Sequence, residues 1–192
     1  GLREAYIYGS YAKDALGTEH GECMSALRLC LTAMYEQRRF AESYAMGKEN
    51  LGILLSGPKT ANAAAVENHF LGLMTWHDDS LDMAEQFARD SLAAKRDAPY
   101  EPPISVAATL ALLGRILVAA NRPGEALLAF QESLAIRKQA LPEAHWLVAE
   151  TESLLGDCLA RLGQCSDAEP LLTKSYSAIA ASICPVASYA WA

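Results

Sequence analysis

The sequence has few aromatic residues and no long apolar run. Aromatic side chains make up 8% of the 192 residues, while alanine and leucine are abundant, a bias that favours packed helices over sheets. No stretch reaches the roughly 20 consecutive apolar residues that a membrane helix needs. No secretory signal is visible at the start of the chain. We therefore expect no membrane insertion and a cytoplasmic location.

Positive charge is also scarce. The formal net charge is −7, and lysine and arginine form no run along the chain. An acidic surface repels phosphate backbones, so we expect no nucleic-acid partner.

The cysteines are odd in number and include no CxxC motif. A spacing of seven residues separates two pairs of them, and on one helix it would place the partners two turns apart, too far for a disulfide. We expect reduced thiols that behave as small apolar residues. The five are Cys23, Cys30, Cys158, Cys165 and Cys184.

Several residues recur at a step of 42. The dipeptide Leu-Gly occurs at 71–72, 113–114 and 155–156; alanine recurs at 84, 126 and 168; serine recurs at 91, 133 and 175. One such match would be noise, but several in one frame indicate a structural repeat. The glycine precedes the alanine by 12 residues in each unit, which suits two antiparallel helices that approach closely beside a turn. We expect these glycines and alanines to be buried at helix contacts.

The segments between the turns have helical periodicity. Pro123 suits a first helical position, and Ser166 with Glu169 has the pattern of a capping box. We predict helices over 61–76, 80–96, 103–120, 124–140, 145–162 and 167–182. The first sixty residues are less regular: a helix over 2–16 is either the second helix of a truncated repeat or a cap, and helices over 22–37 and 40–55 form a degenerate repeat.

These helices predict a single all-α domain over 1–192. It consists of a capping or partial-repeat helix, a degenerate repeat, three full repeats and a tail that either covers the last repeat or is a cut edge. The corresponding ranges are 1–21, 22–57, 60–97, 103–140, 145–182 and 183–192.

At the level of motifs, the sequence resembles the tetratricopeptide-repeat family over 61–180. The family's small residue in the first helix, its alanine twelve positions later and its small residue seven further on correspond to Gly114, Ala126 and Ser133. The 42-residue step, with 133–137 and 141–145, looks like the longer repeats of kinesin light chain, which also occur in bacterial Ser/Thr-kinase-linked arrays. The resemblance implies a right-handed α-α superhelix, a solenoid whose concave face is lined by the first helices of the repeats.

Two binding motifs of the family are missing. The paired asparagines that line the cargo groove of kinesin light chain are replaced by Ala111-Leu112 and Ser153-Leu154, and we find no set of lysine, asparagine and arginine for a carboxylate clamp. A partner would therefore be held by other residues.

The Gly frame places a set of side chains on the inner wall of the groove. An aromatic, a histidine and an arginine there suit the anchoring of a peptide, although Trp76 could instead pack against the neighbouring repeat. The predicted partner-binding residues are His69, Leu73, Trp76, Arg115, Val118, Ser153, Asp157, Arg28 and Tyr35.

Signals for catalysis are weak. His20-Gly21-Glu22-Cys23 contains ligand-type residues without a matching half elsewhere, His145 falls in an inter-repeat loop, and no glycine-rich phosphate loop is present. We expect no enzyme activity, no cofactor and no metal. The sequence predicts a scaffold that binds a peptide or partner protein, as a module of a larger signalling or assembly protein. The alternative is a regulatory repeat domain that senses a peptide or small molecule by changing conformation.

Overall fold

The computed structural model describes residues 42, 44–49, 68–69, 71–72, 75–76, 80–98 and 101–187. Regular structure in these residues is α-helical and includes no strand, which confirms the predicted all-α class. The chain divides into two compact units, Gly1–Pro99 and Tyr100–Ala192. The helices are α1 (Leu81–Asp97) in the first unit, and α2 (Pro103–Ala119), α3 (Pro123–Ala140), α4 (Trp146–Arg161) and α5 (Cys165–Ala187) in the second.

Most of the N-terminal predictions fall outside the described residues. This holds for the helix over 2–16, for the helix over 22–37 and for the motif at His20, and the tail beyond residue 187 is likewise not described. The described residues between 42 and 49 are helical, as are those between 68 and 76. Both groups lie within helices that the sequence predicts.

The last helix is longer than predicted. Helices α1 to α4 begin and end within one residue of the prediction, whereas α5 starts two residues earlier than residue 167 and continues five residues past 182. Ser166 therefore lies in the first turn, and the predicted capping box is wrong. The carbonyl of Gln164 instead accepts the first N–H groups of α5, from Asp167 at 3.2 Å and Ala168 at 3.1 Å.

The turns between paired helices share one backbone geometry. Asn121 and Gly163, which are 42 residues apart, both have a positive φ, 58° and 78°. The residue after each donates its N–H to a carbonyl five positions back, from Arg122 to Leu117 at 2.8 Å and from Gln164 to Leu159 at 2.9 Å. These bonds define a Schellman motif, in which a left-handed residue ends the helix and satisfies its last carbonyls. The repeat thus fixes where one helix stops and the next begins.

The repeated small residues are buried, as predicted. Ala84 and Ala126 have no exposed surface, Ala168 is 2% exposed, and Gly72, Gly114 and Gly156 are buried. The reason for glycine differs from the expected one. A Cβ on Gly114 would lie 2.4 Å from the ring of Phe130, and one on Gly156 would lie 2.7 Å from Cγ of Leu172. The large residue sixteen positions later, rather than the alanine twelve positions later, is what requires glycine.

Within the second unit, neighbouring helices run antiparallel. The arginine near the end of α3, Arg137, donates to the carbonyl of Leu147 at the start of α4 (2.8 Å), while Cys158 near the end of α4 donates to the carbonyl of Pro123 at the start of α3 (3.0 Å). Ser133 ties α3 back to α2 through a 2.8 Å bond to the carbonyl of Ala107. Pairing of consecutive helices thus places α2 and α4 on one side of the unit.

Two of the three cysteines of the second unit, Cys158 and Cys165, do not share a helix. Cys158 is buried in α4 and Cys165 is exposed at the start of α5, and both are free thiols. The spacing argument against a disulfide therefore does not apply to this pair, and only Cys158 behaves as a small apolar residue. His145 caps α4, its Nδ1 accepting the N–H of Leu147 at 3.1 Å.

Candidate functional site: the wall formed by α2 and α4

The predicted groove residues of the second unit lie on α2 and α4, and their side chains are accessible. Arg115, Val118 and Ser153 are half-buried, and Asp157 is exposed. The opposite side of α2 is in the core, where Leu113, Ile116 and Leu117 are at most 4% exposed. Burial of that side fixes which side chains α2 can present. Five residues make up a surface that we call the α2–α4 wall: Arg115 and Val118 of α2, and Glu150, Ser153 and Asp157 of α4.

Arg115 connects the two helices of the wall. Its Nη2 donates to Oε1 of Glu150 at 2.5 Å, and the two side chains are about equally exposed, at 33% and 31%. The pair bridges α2 and α4 on the accessible side of both helices. It also means that the arginine already has a carboxylate partner before anything else binds.

The same carboxylate reaches into the joint between α3 and α4. The other oxygen of Glu150 accepts a 3.0 Å bond from Arg137, whose side chain is only 4% exposed. That nitrogen of Arg137 also donates to the hydroxyl of Thr151 at 2.6 Å. Because a buried cation is stable only when it is paired and hydrogen-bonded, Glu150 supports the packing of α3 on α4 as well as the geometry of the wall.

A second charged pair involves Asp157 of the wall and lies entirely within α4. Asp157 accepts a 2.8 Å bond from Arg161 one turn later on α4, and both side chains are 54% exposed. The hydrogen bond and the charge of Asp157 raise the pKa of Arg161. Each charged side chain of the wall therefore already has a partner, and an acidic ligand at Arg115 would have to compete with Glu150.

Behind the wall, a further carboxylate holds three helices together. Glu152 of α4 is 2% exposed and pairs with Lys138 of α3 at 2.9 Å and with Lys174 of α5 at 3.4 Å. Lys174 also binds Glu143, and this exposed pair lowers the pKa of the carboxyl and raises that of the amine. Glu152 thus fixes α4, which carries Glu150, Ser153 and Asp157 of the wall, between α3 and α5.

Several residues of this arrangement were not among the predicted site residues. Glu150 and Arg137 lie outside the set chosen from the Gly frame, although the repeat contains a signal for one of them. Lys95 and Arg137 are 42 residues apart, both are cationic, and both are buried at 4% and 3% exposure. A cation at the same repeat position indicates a structural role that a search for exposed anchors does not detect.

The first unit contains the other described groove candidates. His69 and Trp76 are half-buried, and each takes part in an interaction. Burial, with a smaller contribution from the positive charge of Lys95, lowers the pKa of His69 to about 3. The imidazole is therefore neutral at physiological pH. Leu73, Arg28 and Tyr35 lie outside the described residues.

The described part of the chain offers little for catalysis. No group of three or more metal-ligating side chains occurs in it. Burial, followed by the charge of Asp157, raises the pKa of the Cys158 thiol, which makes it a poor nucleophile. None of the described helices is long and apolar enough to cross a membrane.

Comparison with known proteins connects these features to one fold. The family model described as "Tetratricopeptide repeat" matches residues 106–147, which include most of α2 and all of α3. No curated protein sequence matches the chain. The solved structures do. A putative kinesin light chain with nearly identical TPR-like repeats from Podosopora anserina has a TM-score of 0.73 at 15% identity, over 94% of this chain and 86% of that one.

Two other similar structures come from proteins with different names. BtubC (BKLC) from P. vanneervenii has a TM-score of 0.81 at 18% identity, over 94% of this chain and 74% of that one. The apo form of RapI has a TM-score of 0.69 at 14% identity, over 94% of this chain and 52% of that one. At such identities the likeness establishes the fold alone. Residues 106–147 thus match the model of a tetratricopeptide repeat, and the chain has the all-helical fold of the solved repeat structures, a putative kinesin light chain among them.

Proposed function

We propose that the chain is a protein-interaction scaffold that holds a peptide or partner protein against the α2–α4 wall. The observation that carries the proposal is the accessibility of Arg115, Val118, Ser153 and Asp157 on two helices whose opposite sides are packed in the core. A surface held by buried neighbours on rigid helices loses little conformational entropy on binding. The similarity to repeat proteins named for kinesin light chain supports the same reading. We place such a scaffold in a larger cytoplasmic signalling or assembly protein, without enzyme activity of its own.

The paired charges of the wall define what a partner has to offer. Arg115 shares the carboxylate of Glu150 with the buried Arg137, and Asp157 is paired with Arg161. A partner with one isolated charge gains little, because it displaces an existing pair. A partner that places a hydrogen-bonding group beside each pair and an apolar side chain on Val118 keeps both pairs intact and adds contacts to them.

The test compares three baits for the capture of partner proteins from a native lysate: the intact 192-residue chain, a wall variant and a control variant. The captured proteins are quantified by mass spectrometry. The wall variant is Arg115→Ala with Val118→Asp. Glu150 keeps Arg137 as a partner in this variant, so the helix content should not change. The control is Gln131→Ala with Glu132→Ala on the exposed side of α3, away from the wall.

A partner of the wall is one that the original chain and the control retain and the wall variant loses. With that partner purified, Arg115→Ala should weaken binding by about thirtyfold, the loss expected of an arginine anchor of about 2 kcal/mol. The proposal is wrong if all partners survive in the wall variant while circular dichroism shows it to be folded.

One observation favours a ligand-sensing role as the second candidate. Glu150 touches both the accessible Arg115 and the buried Arg137, so a ligand that draws Glu150 away would weaken the joint between α3 and α4. Hydrogen exchange of the α3 and α4 amides with and without ligand separates the two functions. A scaffold should show protection on the wall alone, whereas a sensor should show altered exchange around Arg137.

A further inference from the structure

The second helices of the three repeats are α1, α3 and α5. One face of this helix is buried in α1 and in α3 but is more exposed in α5. In α3 this outer face consists of Phe130, Leu134 and Arg137, which are 1%, 8% and 3% exposed. The residues 42 positions earlier in α1 are Ala88, Leu92 and Lys95, at 0%, 7% and 4% exposure. The same positions of the repeat are therefore covered in α1 and in α3.

In α5 these positions are more exposed. Leu172 is 36% exposed, Tyr176 is 76% exposed and Ile179 is half-buried. Leu172 still packs on Gly156, as Phe130 packs on Gly114, so α5 is docked in the same way as α3. The difference lies on the outward side of the helix, where an aliphatic and an aromatic side chain face solvent.

The outer face of α5 also lacks charge. Arg137, which bonds α3 to α4, is replaced at its repeat position by Ile179. From Ser175 to Ala192 the sequence contains no aspartate, glutamate, lysine, arginine or histidine. Interface cores are depleted in charged residues, whereas a solvated helix face is normally charged or polar. The composition is that of a covered surface.

The α3–α4 contact indicates how such a face is covered. There the occupant is an antiparallel helix, because the end of α3 meets the start of α4 and the end of α4 meets the start of α3. A two-fold axis near Tyr176 would set α5 antiparallel to the α5 of another copy. Asp167, Glu169 and Lys174 of one helix would then oppose the charge-free half of the other. Like charges never meet in this arrangement, in spite of the net charge of −7.

We propose that the outer face of α5 is a self-association surface on which a second copy of this chain docks its own α5 in the antiparallel direction. The contact is isologous, so each chain supplies the same Leu172, Tyr176 and Ile179. Tyr176 is the central residue, since it is the most exposed of the three and tyrosine brings a large contact area at low entropic cost. The proposal is independent of what binds the α2–α4 wall.

Sedimentation equilibrium of the full 192-residue chain tests the proposal, with a reductant present because Cys165 is exposed. We expect a reversible equilibrium between one chain of 20.7 kDa and twice that mass. Tyr176→Lys should raise the dissociation constant by about thirtyfold or more. Since Tyr176 is 76% exposed, the substitution should leave the helix content of the monomer unchanged.

The matched control is Thr173→Lys, which adds the same charge to α5 outside the outer face. Its repeat equivalent on α3 is Gln131, which stays exposed although α4 covers the outer face of α3. We expect the control to dimerise like the original chain. The proposal is overturned by a single-chain mass at all concentrations, by a dimer that Tyr176→Lys leaves intact, or by a dimer that both substitutions weaken equally. Capture of a different protein at Tyr176 without self-association would also overturn it.

Discussion

Two glycines ten residues apart in the second unit differ completely in what surrounds them. A Cβ on Gly114 would lie 2.4 Å from the buried ring of Phe130, whereas a Cβ on Gly124 would meet no atom within 4 Å. Both lie in helices, where glycine is less favourable than alanine by up to about 1 kcal/mol. The same substitution therefore has opposite consequences at the two positions.

Gly114→Ala should lower the free energy of unfolding by about 1–3 kcal/mol, because the ring of Phe130 has to move in a packed core. Gly124→Ala should leave the free energy of unfolding unchanged or raise it by up to about 1 kcal/mol. Urea denaturation of the two variants side by side measures the difference. Equal stability of the two would mean that α2 and α3 are not packed through Phe130.

His69 predicts a pH dependence of stability. Its pKa is lowered from 6.5 to about 3 in the folded chain, first by burial and then by Lys95. Below pH 6.5 the unfolded state takes up a proton that the folded state does not. The contribution of the neutral His69 to the free energy of unfolding is therefore complete above pH 6.5. It falls as the pH drops towards 3, by up to about 1.4 kcal/mol per pH unit.

His69→Gln removes this titration. The free energy of unfolding, measured with denaturant at several pH values between 7 and 4, should depend on pH with a shallower slope for the variant than for the original chain. Carboxylates titrate in both proteins and cancel in the comparison. Identical slopes would show that His69 is solvated in the folded state.

At the scale of the element, the turns decide where helices end. Asn121 has a φ of 58°, which asparagine and glycine adopt far more readily than β-branched residues do. Asn121→Val should therefore cost about 1–2 kcal/mol, while Asn121→Gly should be close to neutral. Thermal melts of the two variants test this. If valine is tolerated as well as glycine, the left-handed turn does not hold in solution.

The helices could be predicted closely from the sequence because their signals are periodic and local. The Leu-Gly step of 42 located each pair, and α1 to α4 followed within one residue. The start of α5 was missed because Ser166 has the residue type of a cap. The turn length set by Gly163 gives that position to Gln164 instead.

The candidate site could be predicted only in part, for a physical reason. The accessible positions of Arg115 and Asp157 could be predicted because a helix position determines which way a side chain faces. The pairing of Arg115 with Glu150 depends on side-chain rotamers and on the spacing of α2 and α4, which no local pattern contains, whereas the pair of Asp157 and Arg161 is a local i, i+4 pair within α4. For the same reason Phe130, rather than Ala126, turned out to be the residue that needs Gly114.

At the scale of the second unit, each helix has contacts mainly with its sequence neighbours. Bonds join α2 to α3 through Ser133, α3 to α4 through Arg137, and α4 to α5 through Glu152 and Lys174. In such a quasi-one-dimensional array, stability is a sum of terms for each repeat and each contact between neighbours. Among the described helices of this unit, α5 packs mainly on α4 and therefore has fewer of these terms than α3 or α4.

Native-state hydrogen exchange should reveal that difference. Eight residues of α4 are buried, from Val148 to Leu159, whereas Ala168 and Ser175 are the buried ones of α5 up to residue 180. At concentrations where the chain is monomeric, we expect the amides of α5 to exchange fastest and those of α4 to open only with the whole unit. At higher concentration, self-association through Tyr176 should slow exchange in α5 and leave α4 unchanged. Tyr176→Lys should remove the concentration dependence while keeping the order of the helices. Exchange in α5 as slow as in α4 for a monomer would contradict the array itself, whereas an order that never changes with concentration would contradict only the proposed self-association.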